Sequence, residues 1–202
     1  MRVIVIGGTG TIGSAVVKRI STRHEVVVVG HKKGPFQVDL ASPDSITSLF
    51  KAVGTCDAVV STAGIAKFAS LDDLTYDDYF IGLKNKLMGQ ANLVRIGKPF
   101  VTNHGSFTLT SGVLSQNPMK GSASISMVNA GLEGFVRAAA IDLPRGLRVN
   151  VVSPPWVTET LIARKMDPSI GIPADQVAQA YLASVEGTMT GQTLDPRKTT
   201  SM

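Results

Sequence analysis

Near the start of the chain lies Gly7-Gly8-Thr9-Gly10-Thr11-Ile12-Gly13, reached directly from Val3-Ile4-Val5-Ile6 and leading into Val16, Val17 and Ile20 at helical spacing. Glycines at 7, 10 and 13 permit turn dihedrals closed to other residues and let peptide N–H groups approach an anion. A helix starting at such a turn adds unpaired N–H donors and the positive end of its dipole. Residues Gly7, Thr9, Gly10, Thr11, Ile12 and Gly13 therefore read as a cradle for the pyrophosphate of NAD(P). A tight turn holding no ligand is the plainer reading of glycines alone, and the strand-turn-helix context argues against it. The next apolar run, 25–29, ends in Gly30-His31-Lys32-Lys33. An acidic residue there would bind the ribose 2′-hydroxyl of NAD and repel a 2′-phosphate. Its absence, with His31 and Lys32 in place, makes NADP the expected cofactor and NAD the less favoured one.

The elements that must position this loop follow from patterning. Short β-branched runs at 3–6, 25–29, 37–38, 58–60, 106–110, 148–152 and 192–194 alternate with helical stretches at 12–21, 43–53, 77–96, 124–143, 158–165 and 173–185. That alternation predicts an α/β protein: a three-layer, doubly wound Rossmann fold with a parallel sheet of about seven strands. A chain of 202 residues that is 44% hydrophobic suits one nucleotide-binding domain, 1–195, followed by a polar tail, 196–202. No apolar run approaches the roughly 20 residues of a membrane span. The N-terminus enters a strand at once instead of a signal peptide, so a cytoplasmic protein with no membrane partner is expected. Cys56 is the only cysteine, which leaves no internal disulfide and no metal site in view. The net charge of +5 is scattered, without an arginine stripe interleaved with aromatics, so no nucleic-acid partner is expected.

Five segments in order resemble the short-chain dehydrogenase/reductase family, from the glycine loop to about Thr160. The Gly7-x-x-Gly10-x-x-Gly13 spacing is similar to the family's atypical or extended branches. Val38-Asp39-Leu40 resembles its adenine contact, which implies that Asp39 accepts from the adenine amino group beside Leu40. Ser61-Thr62-Ala63-Gly64 resembles the Asn-Asn-Ala-Gly segment, with both asparagines replaced, and places Ala63 and Gly64 against the cofactor. Phe107-Thr108-Leu109-Thr110-Ser111-Gly112 resembles the strand ending in the catalytic serine. Arg148 to Thr160, with Ser153-Pro154-Pro155-Trp156-Val157, is similar to the segment that meets the nicotinamide carboxamide, which implies contacts from Pro154, Val157 and Thr160. The resemblance also implies a small-molecule substrate and a homodimer or homotetramer.

The chain departs from the family where the chemistry belongs. The family's Tyr-x-x-x-Lys pair aligns with Ile125 and Asn129, and isoleucine can neither donate nor accept a proton. The family also places an asparagine three residues before a glycine on the preceding helix, and here that position in Lys86-Leu87-Met88-Gly89 is Lys86. Lysine and asparagine then exchange places, with Lys86 reaching the ribose or a water and Asn129 completing the network. A register slip of one residue puts Asn85 there instead, and Lys86 on the surface. Ser111, Lys86 and Asn129 are the candidate catalytic residues. His104 and His24 lie before their strands, and His104 falls some 20 Å from Ser111 at about 3.3 Å per residue. Tyr79, seven residues before Lys86 on one helix face, is a weaker candidate proton donor. Trp156 is expected to wall the pocket. Two functions follow: an NADP(H)-dependent oxidoreductase acting on a small carbonyl or alcohol, or a catalytically silent NADP(H)-binding sensor.

Overall fold

Strand β1 (Arg2–Ile6) shows why the apolar runs do not alternate with polar residues. Its pleat sends Ile4 and Ile6 into one buried cluster and Val3 and Val5 into another on the opposite face. A parallel strand covered on both sides needs apolar residues at every position. The computed structural model of the chain describes residues 1–198 and repeats this division in β2 (Glu25–Gly30), β4 (Cys56–Ser61) and β6 (Arg148–Val152), while β3 (Phe36–Gln37) and β5 (Val101–Thr110) give apolar residues to the first cluster and β7 (Thr193–Leu194) to the second. All pairings are parallel, and the order is β3-β2-β1-β4-β5-β6-β7. The order reverses between β1 and β4, which opens a crevice beyond the carboxyl ends of these strands.

Helices α1 (Thr11–Ile20) and α7 (Ala174–Glu186) cover one face through Val16, Ile20, Val177 and Tyr181. The other face is covered by α2 (Pro43–Val53), α4 (Gly89–Gly97) and α5 (Ala123–Asp142) through Ile46, Phe50, Leu93, Leu132 and Val136. Helix α2 begins where Ser42-Pro43 predicts, with the Ser42 hydroxyl accepting from Ser45 N at 3.2 Å.

Two elements differ from the sequence expectation. Strand β5 starts at Val101 because Thr102, Asn103 and His104 form an irregular stretch, with a register shift against β4 between Cys56 and Ala58. His104 thus lies within the strand, at a φ of 62°, instead of before it. The single helix expected over 77–96 is three: α3 (Tyr76–Gly82), a π-helical segment (Leu83–Met88) and α4. Of the expected tail, Arg197 folds back onto Asp195 with Nη2 2.8 Å from Oδ2, and residues 199–202 lie outside the described residues. Among the described residues no helix is long and apolar enough to cross a membrane, and no three potential metal ligands gather.

Phe50 is fully buried and stacks on Phe100 with ring centroids 5.5 Å apart. Phe50→Ala should lower stability by about 3–5 kcal/mol, read from the midpoint and slope of urea unfolding.

Candidate functional site

The glycine turn forms one wall of the crevice. Gly7 has a φ of +79°, and a Cβ on Gly13 would stand 1.9 Å from the Gly7 carbonyl oxygen. Any side chain at 13 would therefore push the start of α1 away from the end of β1. A Cβ on Gly7 would in turn come within 2.9 Å of Ala63, across on the segment after β4. Helix α1 opens at Gly10 with no side-chain cap, so its first-turn N–H groups, those of Thr11, Ile12 and Gly13, lack intrahelical acceptors. The cleft beside this turn encloses about 300 Å³ and is walled by Gly7, Thr9, Gly10, His31, Leu40, Ala63 and Gly64. These are seven of the residues that the sequence assigns to a cofactor. The His31 Nδ1 lies 3.2 Å from the Val38 carbonyl, and Lys32 is exposed on the loop beyond. Asp39 is exposed beside the cleft, its Oδ1 accepting from Ala41 N at 2.9 Å. Val157 is buried in a bridge to Ile172, and Thr160 N donates to the Val157 carbonyl in the first turn of α6 (Thr158–Ala163); neither is on a cleft wall.

A second cleft, about 230 Å³, lies past the carboxyl end of β5 between Lys86, Ser111, Ile125, Asn129, Pro154 and Trp156. Lys86 Nζ donates to Asn129 Oδ1 at 2.7 Å and to the Ser111 carbonyl at 2.8 Å. Asn129 Nδ2 donates onward to the Gly112 carbonyl at 3.2 Å. The lysine stem passes over Gly64, where a Cβ would come within 2.6 Å of Lys86 Cγ and where φ is +146°. Asn85 goes elsewhere: its Oδ1 accepts from Ile65 N at 3.0 Å and it lines the nucleotide crevice. Burial pushes the Lys86 ammonium down from 10.5 to about 8.

The π-helical segment is what aims Lys86. Its wide turns, with Gly89 N reaching back to the Lys84 carbonyl, break the α-helical phase between residues 79 and 86. Tyr79, in α3 before this segment, is not on the cleft wall. His104 sits in the opening half of β5, while Ser111 follows its last residue.

Two features escaped the sequence reading. Gln90 is fully buried and clasps the end of β5, donating to the Thr110 carbonyl at 2.9 Å and accepting from Thr110 N at 2.8 Å. Glu133, 6% exposed, accepts from the Ser111 hydroxyl at 3.0 Å. It stands four residues after Asn129 on α5, so helical spacing from the candidate site was the available signal.

Sheet order, glycine turn and crevice together define a nucleotide-binding α/β protein of the Rossmann type. A family model described as Enoyl-(Acyl carrier protein) reductase matches residues 12–193, and the chain belongs to this family, among the short-chain dehydrogenases/reductases. It is 38% identical to the protein lin1944 from Listeria innocua, whose crystal structure superimposes with a TM-score of 0.93 over 96% of this chain and 98% of that one. A small-chain dehydrogenase in complex with NADPH is 25% identical, with a TM-score of 0.84 over 96% of this chain and 95% of the other. The short-chain dehydrogenase/reductase ATR9 of Stachybotrys chlorohalonatus is 29% identical, covering 89% of this chain and 88% of its own.

Because the folded Lys86 titrates near 8 and the unfolded side chain near 10.5, the unfolded chain holds more protons between those values. Lys86 should therefore weaken the fold at lower pH and cease to do so as pH rises through this window. Urea unfolding at pH 7.5 and pH 10 should show Lys86→Met losing a stability increment of roughly 1–3 kcal/mol that the wild type gains over that range.

Proposed function

We propose that the chain is an NADP(H)-dependent oxidoreductase for a small carbonyl or alcohol, with Ile125 and Asn129 at the positions of the family's tyrosine and lysine. The observation that carries this reading is the bonding of Lys86 to both Asn129 and the Ser111 carbonyl, on the wall of a cleft that adjoins the nucleotide crevice. A redundant site would have no reason to enclose an ammonium group this way. The residues present fit a dinucleotide: Gly7, Gly10 and Gly13 leave the bare turn that a Cβ would fill, beside the open start of α1. His31 and Lys32 sit where a 2′-phosphate would be recognised, and no carboxylate stands among residues 30 to 33.

In this reading the bound cofactor supplies or accepts a hydride, and the chain does the rest. The Gly7 to Gly13 turn holds pyrophosphate, and Leu40, Ala63 and Gly64 line the crevice for the remainder. Asp39 meets the adenine end, and Pro154, Val157 and Thr160 shape the segment near the nicotinamide. Lys86 uses two N–H bonds on Asn129 and Ser111, leaving the third for a ribose hydroxyl or a water. Ser111 Oγ meets the substrate oxygen, and Ile125 and Trp156 form apolar walls around it. Exposed Met88, Met127 and Ile141, at 51%, 41% and 85%, lie on the helices that pair copies in the family, which supports a homodimer or homotetramer.

NADPH should bind more tightly than NADH by fluorescence titration. Lys32→Ala should weaken NADPH roughly tenfold, the equivalent of one contact of about 1.4 kcal/mol, and leave NADH unchanged. Tighter NADH binding would reverse the assignment of cofactor. Across a panel of aldehydes, ketones and quinones, NADPH oxidation should fall about 10²- to 10³-fold in Ser111→Ala. Tight NADPH binding with no turnover on the whole panel would instead establish a silent sensor.

A further inference from the structure

We infer that Glu133 is the group that exchanges the substrate's proton, acting through the Ser111 hydroxyl and fed with water protons from a second cavity behind Ser153. The inference rests on the oxidoreductase reading and addresses what that reading leaves open, the source of a proton in a cleft walled by Ile125. The other titratable groups nearby are unsuited. Lys86 Nζ is held by Asn129 and the Ser111 carbonyl, with its third N–H given in that reading to the ribose or a water instead of the substrate oxygen, and Arg164, on the cleft wall, has hydrogen-bond donors only and no lone pair to take up a proton. Tyr79 and His104 do not reach the cleft.

Glu133 is buried, and its oxygens gather donors from both sides of a partition. Oε1 accepts from Ser111 Oγ at 3.0 Å, Ser115 Oγ at 2.6 Å and Ser153 Oγ at 3.4 Å, and Oε2 accepts from Gln116 Nε2 at 3.4 Å. Ser111 faces the substrate cleft. Ser153 and Gln116 face a different cavity of about 300 Å³, walled further by Asp195, Arg197 and Lys198. One carboxylate thus touches hydroxyls that open on two separate spaces, which a purely structural acceptor has no need to do. No cation hydrogen-bonds it among the described residues. Charged groups on the walls of the two cavities are Lys86 and Arg164 in the first and Asp195, Arg197 and Lys198 in the second, and Arg137 stands one turn further along α5.

A hydroxyl donating to a carboxylate, as Ser111 does to Glu133, is the arrangement that alcohol oxidation uses. The substrate O–H proton passes to Ser111 Oγ while the Ser111 proton passes to Glu133 Oε1, and the carbon's electron pair leaves as hydride to oxidised nicotinamide. In reduction each movement reverses. Glu133 starts protonated, Ser111 gives its proton to the substrate oxygen and regains one from Glu133, and the carboxylate recovers a proton from water through Ser153. Charge and atoms balance in both directions, with the nicotinamide dinucleotide as the only other reactant.

The test uses the full chain and single-turnover hydride transfer from NADPH to an accepted carbonyl in mixtures of light and heavy water. The wild type should give a bowed dependence of rate on deuterium fraction, the mark of two protons moving together. Glu133→Gln should slow the step about 10²- to 10⁴-fold while leaving NADPH affinity unchanged. In the cofactor-free wild type, the assigned side-chain carboxyl ¹³C resonance of Glu133 should move on Ser111→Ala and on Ser153→Ala alike, because both hydroxyls bond the same oxygen. A linear deuterium dependence in the wild type, a Glu133 resonance that moves in neither serine variant, or full speed in Glu133→Gln would each overturn the relay, and the first two apply even if Glu133→Gln fails to fold. A wild type that turns over with a linear dependence sinks the relay alone, whereas one that oxidises no NADPH on any carbonyl sinks the oxidoreductase reading and the relay with it.

Discussion

An ammonium group shut between a helical turn and the end of a strand must find oxygens for its hydrogens, because an unpaired buried charge costs several kcal/mol. Lys86 finds them in the Ser111 carbonyl and the Asn129 side chain, and much of the local architecture answers to that requirement. The strand end that supplies the carbonyl is clasped by Gln90 one residue earlier, through both backbone groups of Thr110. The helix that supplies the amide is tied back to Gly112 through Asn129 Nδ2. Gly64 has no side chain because the lysine stem occupies the space where one would be. Each contact is modest alone, but they share partners, so disturbing one moves the rest.

The same strand end is held from the opposite side of the sheet. Thr110 Oγ1 shares a hydrogen bond with the Tyr181 hydroxyl at 2.6 Å, and Tyr181 is fully buried on α7. Burial drives the tyrosine's titration above its ordinary range, so it stays a neutral hydroxyl within the fold. The end of β5 is thus fixed from α4 on one face and α7 on the other before Ser111 begins. Residues whose positions matter to about half an ångström are best carried on such rigid supports, and the loop from 111 onward inherits its geometry from them.

How legible this was in the sequence depended on the range of the signal. The glycine turn, the two-sided apolar strands and the Ser42-Pro43 helix start are local patterns, and the structure reproduces them within a residue or two. The first half of β5 is not legible because Thr102, Asn103 and His104 carry no apolar signature, and their bulged stretch satisfies its backbone differently from a regular ladder. Residues 77–96 carry the pattern of one continuous helix because a π-helical segment leaves no compositional mark. Helix spacing across this segment is therefore no guide to whether Tyr79 meets the cleft, whereas the pairing of Lys86 with Asn129 follows from the order of motifs and does not depend on helix facing. Glu133 was passed over because a polar residue on an amphipathic helix normally faces water, and only the packing of residues 111 to 116 against α5 shows that this one does not.

On the proposed reading, the exchange of lysine and asparagine between two helices keeps the charge and the donors of the site while reversing the side from which they come. It does nothing for the hydroxyl that Ile125 cannot provide. An apolar residue there dries the cleft wall, which strengthens the remaining electrostatic contacts but takes away a hydroxyl beside the substrate. A proton then has to come through the wall, and Ser111 is the hydroxyl in the wall that is bonded to a carboxylate behind it. The loss at 125 and the burial of Glu133 are in this sense one problem and its answer: a site that gives up an exposed acid keeps chemistry only if a deeper one can be reached by water from elsewhere, and the cavity at Ser153 and Gln116 offers that route.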